Sequence, residues 1–213
     1  MKKEDMVIMV VPTKKLFEKY HFNGFSHIND HDYHSIMLEN HEFMRRGNAE
    51  VDENYRQPIP YVILHNPNTK KFFAFQRASD IKHAHEQRLH GKWSFGVGGH
   101  VDLQDKDDVK VNVLHDAMMR ELVEEVDLVG DSHSNVKFET LGFINEEGNE
   151  VGRVHMGVLV LAKTNASEIR PKANEVAQGG WHSLEELDEL CKSSNVEEWG
   201  HHTLEALKKY LGD

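Results

Sequence analysis

The order of apolar and polar positions divides the chain into short strands and helices. Continuous or alternating apolar stretches are typical of strands, and they occur over residues 6–12, 61–65, 71–77, 92–102, 137–144 and 154–163. The strand over 92–102 is predicted to run into a glycine turn, and the strands at 61–65 and 71–77 to be joined by a turn at Asn66-Pro67-Asn68. The strand over 154–163 is the most apolar, so we expect it to lie centrally in the sheet.

Apolar residues spaced three and four apart predict four helices. They cover residues 35–46, residues 109–126, the segment after a Ser183 cap, and residues 196–211. The candidate buried positions in the first of these helices are Ile36, Leu38, Phe43 and Met44. Helices mixed with short strands indicate an α/β or α+β fold, a sandwich of helices around a mixed sheet.

The segment Gln57-Pro58-Ile59-Pro60 interrupts this pattern, because proline has no backbone N–H to give to a sheet. We therefore divide the chain into an N-terminal α/β extension, residues 1–57, and a main domain, residues 58–213. The extension is expected to pack on the main domain. It is a candidate specificity element or homodimer interface, and the sequence favours neither.

The charge balance narrows the classes of partner. The 213 residues include 25 Lys and Arg against 36 Asp and Glu, a net charge of −11. A general nucleic-acid binder needs a basic face to displace counterions, so a nucleic-acid polymer is not expected as a partner. A small phosphorylated substrate remains compatible, because a bound divalent cation supplies positive charge locally.

Cysteine content and hydropathy bear on the compartment. Cys191 is the single cysteine, so no internal disulfide forms, and a reducing, cytoplasmic setting fits. The N-terminal apolar run is short and lacks a cleavage site of small residues, so no signal peptide is expected. Since no apolar run reaches about 18 residues, we expect no membrane span.

Three acidic residues share one face of the helix predicted over 109–126. Glu121, Glu124 and Glu125 fall within about 100° of one another on a helical wheel, beside an apolar face. Their like charges repel, and a bound cation would reverse that cost; Mg²⁺ and Mn²⁺ prefer such carboxylate oxygens. Arg120 is spaced to hold the Glu124 carboxylate. A solvated helix face without a metal is the alternative interpretation.

The residues upstream of this helix complete a recognisable pattern. The stretch GGHVD followed by RELVEEV resembles the signature of the Nudix hydrolase family. The positions that match are Gly99, Arg120, Glu121, Leu122, Glu124, Glu125 and Leu128. The signature covers about 30 residues, and a looser resemblance extends over residues 58–213.

The chain departs from that signature in its connecting segment. Arg120 follows Gly99 by 21 positions, about seven more than in the family, which places an insertion within LQDKDDVKV. Asn112 stands where counting back from Arg120 puts the family's upstream glutamate, and Asp105 stands at the family distance from Gly99. Asp127 replaces the second glycine, which is expected to change how the helix ends.

The resemblance implies a mixed sheet between helices and cleavage of a diphosphate linked to another group, often a nucleoside. It implies that Glu121, Glu124 and Glu125 hold Mg²⁺ or Mn²⁺, with the Gly99 carbonyl as a further ligand and Arg120 orienting a glutamate. Carboxylate-bound cations activate water and neutralise phosphate charge. Three alternatives stay open for the general base: Glu121, Glu124, or an acid of the loop 146–150.

Cations upstream of the glycines are candidate contacts for substrate phosphates. Arg77 ends a predicted strand, and the loop that follows carries Lys82, Arg88 and Lys92. Arg77 is the preferred contact, with Arg88 and His100 as further predicted substrate-binding residues. A surface loop without such a role is the alternative for residues 78–92.

The histidines and the single cysteine are weaker candidates for a zinc site or a nucleophile. Two groups have spacings compatible with zinc, His27/His31/His34 and His83/His85/His90, but neither has a cysteine nearby and polar surface is the alternative. Cys191 lies in a helix of apolar spacing and is expected in the core rather than as a nucleophile.

Two other functions compete with the hydrolase. An isopentenyl-diphosphate isomerase of the same fold needs a cysteine in an upstream strand, whereas Cys191 lies in the wrong region. A Nudix-like sensor of nucleotides or metabolites often loses the metal glutamates, and here all three are present.

Overall fold

The computed structural model describes residues 2–78, 90–103, 113–172 and 176–212, which form two compact units. The first unit comprises Met1–Tyr61, Gly98–Arg120 and Thr140–Leu159. The second unit comprises Val62–Val97, Glu121–Glu139 and Val160–Asp213.

Strands dominate the secondary structure, with helices between them and at the C-terminus. The strands are β1 Val7–Pro12, β2 Gly24–His27, β3 Glu42–Arg45, β4 Tyr55–Asn66, β5 Lys71–Arg77, β6 Trp93–Ser94, β7 Val97–Gly98, β8 Val126–Val129, β9 Lys137–Asn145, β10 His155–Lys163, β11 Glu168–Pro171 and β12 Val176–His182. The helices are α1 Thr13–Leu16, α2 Tyr33–Asn40, α3 Arg46–Ala49, α4 Val113–Glu125, α5 Leu184–Ser193 and α6 Glu198–Leu211. The predicted α+β class with a large mixed sheet is confirmed.

The main sheet has the hydrogen-bonded order β12-β5-β4-β10-β9-β2. Eight of the nine residues of β10 are buried, and its neighbours are β4 and β9, so the predicted central strand is confirmed. Between His155 and Lys163 at its two ends the strand carries only apolar residues and glycine, as burial on both faces requires.

In the first unit, the N-terminal residues contribute strands to the sheet. β1 pairs antiparallel with β3 and with the start of β4, and β2 pairs with β9. Ile8, Val10 and Ala49 form one buried cluster. A second is aromatic: the fully buried Tyr33 has its ring centroid 5.2 Å from that of Phe22 and 5.3 Å from that of Phe143.

In the second unit, β5 pairs with three other strands. It pairs antiparallel with β12, with the end of β4 and with β6, while β8 and β11 form a separate two-stranded sheet. Helix α5 begins with the predicted Ser183 cap, which is part of a capping box with Glu186. Helix α6 ends at Gly212, whose φ of 83° suits the left-handed cap.

The single helix predicted over residues 35–46 is wrong. Helix α2 ends at Asn40, whose side-chain amide donates to the Ile36 carbonyl at 2.8 Å, and residues 42–45 form β3 instead. An edge pairing with β1 gives these residues backbone hydrogen bonds that a helical pattern cannot reveal. The buried positions of α2 are Tyr33 and Met37 rather than the predicted ones, which are half-buried.

The predicted break at Pro58 is also wrong, because β4 runs continuously from Tyr55 to Asn66. The fixed φ of proline is compatible with extended backbone, so its missing N–H need not end a strand. The division into an extension and a main domain stays a prediction. Within the described part of the chain, no helix combines the length and apolar character needed to cross a bilayer.

Gly98 is required by a close approach of two backbone segments in the first unit. A Cβ at this position would lie 1.9 Å from the Pro60 carbonyl oxygen, so Gly98→Ala forces the backbone apart. We expect a loss of about 2 kcal/mol in the free energy of unfolding, measured by denaturant titration. Gly180→Ala is the matched control, because a Cβ there meets no atom within 4 Å. Equal stability of the two variants would contradict this close approach.

Candidate active site

Helix α4 carries the predicted acidic residues in three different environments. Glu121 is 8% exposed, Glu125 is half-buried and Glu124 is exposed. The apolar residues Leu114, Met118 and Leu122 are buried on the same helix. A wholly solvated acidic face would expose all three carboxylates, and the burial of Glu121 departs from that pattern.

Two of the predicted site residues line one pocket of the second unit. Arg77, at the end of β5, and Glu125, at the end of α4, lie in its wall. The remaining lining residues are Phe73, Phe75, Val97, Val126, Pro171 and Val176. The pocket therefore joins one cation and one carboxylate on a largely apolar wall.

Arg77 is held in place without using its full hydrogen-bonding capacity. Its guanidinium carbon lies 5.4 Å from the centroid of the Phe75 ring, a cation–π contact. Its backbone pairs with Lys92 and Gly91, which fixes the end of β5. The buried Nε atom has no hydrogen-bond partner among the described residues, so it is a donor available to an anionic ligand.

The end of α4 is stabilised by Lys172 rather than by a glycine. The Lys172 amide donates to the Glu125 carbonyl at 2.8 Å, and its Nζ donates to the Val123 carbonyl at 2.7 Å. Asp127, in the family's glycine position, lies in β8 opposite Arg170 and pairs with Lys172 at 3.0 Å. Asp127 does not form a left-handed cap, since in the described ranges Lys70 alone among non-glycine residues has a positive φ.

Arg120 contacts the segment after the glycine turn in the first unit. Its Nη2 donates to the His100 carbonyl at 2.9 Å. A guanidinium fixed to a backbone carbonyl anchors the middle of α4 to that segment. The predicted roles of Arg120 in orienting a glutamate and of Gly99 as a metal ligand stay predictions.

His100 is a buried, neutral imidazole. Its Nε2 lies 2.9 Å from Gln57 Oε1, and its side chain is 12% exposed. Burial, with smaller contributions from Arg46 and His155, lowers the pKa of His100 well below its usual range. As a predicted substrate contact, His100 could therefore donate or accept a hydrogen bond, but it offers no positive charge at neutral pH.

The acidic loop 146–150 has a structural role at Glu147. Its carboxylate accepts from Asn145 Nδ2 at 3.2 Å, lies 2.9 Å from His21 Nε2 and pairs with Arg56 at 3.3 Å. Burial alone would raise its pKa, but the His21 and Asn145 hydrogen bonds and the nearby cations lower the pKa of Glu147 below its ordinary value. A carboxylate so engaged is a weak proton acceptor, which disfavours Glu147 as the general base.

Several predicted residues lie outside the described ranges. They are Lys82, His83, His85, Arg88, Asp105 and Asn112. Of the predicted histidine groups, His27, His31 and His34 do not converge on a common point. Among the described residues, the group with metal-ligating geometry is instead Glu50, His100 and His155. Glu50 and His155 were missed because they lie 50 and 55 positions from His100, with no local motif.

Cys191 is not an activated nucleophile. It lies half-buried in α5, and desolvation raises the pKa of its thiol to about 11. The thiol is therefore protonated at neutral pH, while its half-burial differs from the full core position that was predicted.

Comparison with known proteins decides the family. The sequence profile of the NUDIX domain matches residues 55–206, most of the chain. The chain belongs to the Nudix family. Protein YmaB of Bacillus subtilis (strain 168) is 31% identical over 214 residues, covering 98% of this chain and 100% of that protein.

Solved structures of Nudix proteins share the fold. The crystal structure of Tm1382 has a TM-score of 0.70 at 26% identity and covers 96% of this chain and 99% of that one. The NUDIX domain of Shewanella oneidensis NrtR, complexed with ADP ribose, has a TM-score of 0.51 at 16% identity and covers 73% and 88% of the two chains. At that identity, the likeness to NrtR shows the fold alone.

Proposed function

We propose that this Nudix protein is a Mg²⁺- or Mn²⁺-dependent hydrolase that cleaves the phosphoanhydride of a nucleoside-diphosphate-linked small molecule. The observation that carries the proposal is the pocket of the second unit, where Arg77 and Glu125 lie in one wall. Glu125 belongs to the same stretch of α4 as Glu121 and Glu124.

The donor set of α4 fits a hard divalent cation. Glu121, Glu124 and Glu125 offer carboxylate oxygens, which Mg²⁺ and Mn²⁺ prefer to nitrogen or sulfur. The bound cation would activate water and neutralise charge on the diphosphate. Partial burial of Glu121 strengthens its attraction to a cation, because the local dielectric is lower than that of water.

The side chains of this protein would position the substrate and move one proton. The Arg77 guanidinium would hold a phosphate oxygen through the donor that is not engaged within the described residues. Glu124, the most exposed of the three acids, would accept a proton from the attacking water. The apolar wall of Phe73, Phe75 and Val97 would exclude water from the phosphates.

The proposed substrate class rests on the sequence pattern and on the ligands of fold relatives. The structure of a Francisella tularensis bifunctional NMN adenylyltransferase/ADP ribose pyrophosphatase, with AMP and a Mn ion, has a TM-score of 0.51 at 13% identity, covering 86% of this chain and 50% of that one. ADP ribose is bound by the Shewanella domain. A nucleotide-like diphosphate in the cytoplasm is therefore the proposed substrate, with the cation offsetting the acidic charge of the protein.

A substrate panel tests this function. Purified protein is incubated with nucleoside triphosphates, dinucleotides, sugar nucleotides and ADP-ribose, with Mg²⁺, with Mn²⁺ or with a chelator. We expect release of a monophosphate product from at least one compound, and no release in the chelator. Tight binding of one compound without turnover under any cation would favour the sensor function and overturn the proposal.

Replacement of Arg77 is expected to act on substrate binding. Arg77→Ala removes a charge-assisted hydrogen bond to phosphate, worth about 1.5–3 kcal/mol, so KM should rise about 10-fold or more with a smaller change in kcat. Arg77→Lys should recover part of the loss. Arg170→Ala, which removes an exposed cation of β11, is the control and should leave KM unchanged. An unchanged KM in Arg77→Ala would remove Arg77 from the site.

A further inference from the structure

Three side chains outside the acidic stretch of α4 converge within the first unit. The ligand atoms of Glu50, His100 and His155 all lie within 4.8 Å of one another. The two Nε2 atoms are 3.3 Å apart, and each lies 3.8–3.9 Å from a Glu50 carboxylate oxygen. Glu50 follows the end of α3, His100 follows β7, and His155 begins β10. The fold, rather than a local motif, therefore brings the three side chains together.

The hydrogen bonding of His155 places its proton on Nδ1 and the lone pair on Nε2. Its Nδ1 lies 2.7 Å from the Val151 carbonyl, and because a carbonyl only accepts, Nδ1 carries the proton. The Nε2 lone pair therefore points toward His100 and Glu50. A histidine whose other nitrogen donates to a backbone carbonyl is the usual arrangement at protein metal sites.

The spacing of the imidazoles matches a tetrahedral ion. Two nitrogens bound to Zn²⁺ at about 2.05 Å, separated by a tetrahedral angle, lie about 3.3 Å apart. The measured Nε2–Nε2 distance is 3.3 Å. The carboxylate oxygens are farther, at 3.8 and 3.9 Å, so Glu50 would have to approach by about 0.5 Å to bind.

Neighbouring side chains position Glu50 and supply a further candidate ligand. Arg46 Nε donates to Glu50 Oε1 at 3.0 Å, which leaves Oε2 as the ligand atom nearest His155. Gln57 is fully buried, with Oε1 2.9 Å from His100 Nε2. Because an amide oxygen only accepts, His100 Nε2 carries a proton in this arrangement; when an ion displaces that proton, Gln57 Oε1 faces the ion as a fourth ligand.

We propose that Glu50, His100 and His155 form a second metal site, selective for Zn²⁺ or a related borderline ion. Two neutral imidazoles and one carboxylate suit Zn²⁺ and disfavour Mg²⁺, which requires mostly oxygen ligands. None of the three belongs to the α4 glutamates. The site thus uses side chains other than the glutamates proposed to hold the metal of the hydrolase function.

Metal retention tests the site. The full-length, untagged protein is loaded with Zn²⁺, dialysed against a chelator of micromolar affinity and assayed for bound zinc. We expect one equivalent in the wild type, and Glu50→Gln and His155→Gln to bind Zn²⁺ at least about 100-fold more weakly. His21→Gln is the matched control, since it removes an exposed histidine that also faces a carboxylate. Equal retention by Glu50→Gln, His155→Gln and the control would overturn the proposal.

A spectroscopic measurement on the wild type guards against variants that fail to fold. Co²⁺ in a tetrahedral site of nitrogen and oxygen ligands gives strong visible absorption, whereas octahedral Co²⁺ on surface carboxylates absorbs weakly. We expect the strong spectrum, and its disappearance on addition of one equivalent of Zn²⁺. A weak spectrum that Zn²⁺ does not change would mean that these residues form a hydrogen-bonded cluster only.

The zinc-retention experiment and the hydrolase assay can fail independently of each other. Glu124→Gln and Glu125→Gln are expected to lose activity while retaining Zn²⁺, and Glu50→Gln to lose Zn²⁺. Loss of Zn²⁺ from the α4 variants but not from Glu50→Gln would contradict the second site without affecting the proposed reaction.

Discussion

Glu124→Gln and Glu125→Gln are each expected to lower kcat by at least about 100-fold with Mg²⁺ on whichever diphosphate substrate is turned over. Each change keeps the shape of the side chain and removes the charge that binds the cation. Losing a carboxylate that holds the cation on the reacting phosphates is expected to cost about 3 kcal/mol, as for other preorganised electrostatic groups. Steady-state rates over a range of Mg²⁺ concentrations measure the effect, and excess Mg²⁺ should recover part of it for a weakened metal ligand.

Asp116→Asn is the matched control for these two variants. It removes the same charge from the same helix, in the first turn of α4, and should change kcat by less than about 2-fold. Thermal unfolding of all three variants shows whether the fold is kept. Activity of Glu124→Gln and Glu125→Gln equal to that of Asp116→Asn would contradict the metal-binding role.

Arg56→Ala is expected to lower the free energy of unfolding by about 3 kcal/mol. The Arg56 guanidinium is buried, with its side chain 5% exposed. It pairs with Glu147 at 3.3 Å, donates to the carbonyls of Glu53 and Arg153, and lies 5.7 Å from the Phe17 ring centroid. Removing it leaves these acceptors without their donor, and denaturant titration at neutral pH measures the loss.

The pH dependence of that loss has a definite sign. The pKa of Glu147 is lower in the folded protein than its ordinary value. Its contribution to stability is therefore present above the ordinary pKa of a glutamate and is lost as the pH falls through the folded value. The difference between the wild type and Arg56→Ala should narrow over that acidic range.

Arg170→Ala is the control for the buried pair. Its bidentate contact with Glu168 is on the surface, so the variant should unfold at nearly the same denaturant concentration as the wild type. A comparable loss in both variants would show that burial of Arg56 contributes nothing to the strength of its pairing.

Local patterns predicted the parts of this fold that depend on neighbouring residues. The spacing of apolar residues located α4, α5 and α6, and Ser183 marked a cap that the structure contains. Local sequence could not predict that residues 42–45 form a strand instead of a helix, because the strand depends on pairing with β1, about 35 positions away. The continuation of β4 through Pro58 was not predicted either, because it also depends on pairing with residues far away in the chain.

The candidate site was predictable where a motif carries it. Glu121, Glu124 and Glu125 follow from one helical stretch, and Arg77 was chosen as a cation at a strand end. The different degrees of burial of the three glutamates, and the pocket that Arg77 shares with Glu125, could be seen only in the folded structure. Glu50 and His155 carry no sequence signal because residues far apart in the chain form that cluster.

Binding of Mn²⁺ to the α4 glutamates tests the central claim most directly. Electron paramagnetic resonance of free Mn²⁺, titrated with protein in the presence of ADP-ribose, counts the bound ions in the wild type, Glu124→Gln, Glu125→Gln and Asp116→Asn. We expect the wild type and Asp116→Asn to bind Mn²⁺ equally, and each glutamate variant to bind it at least about 10-fold more weakly. Equal Mn²⁺ binding by all four proteins would contradict the metal site on α4.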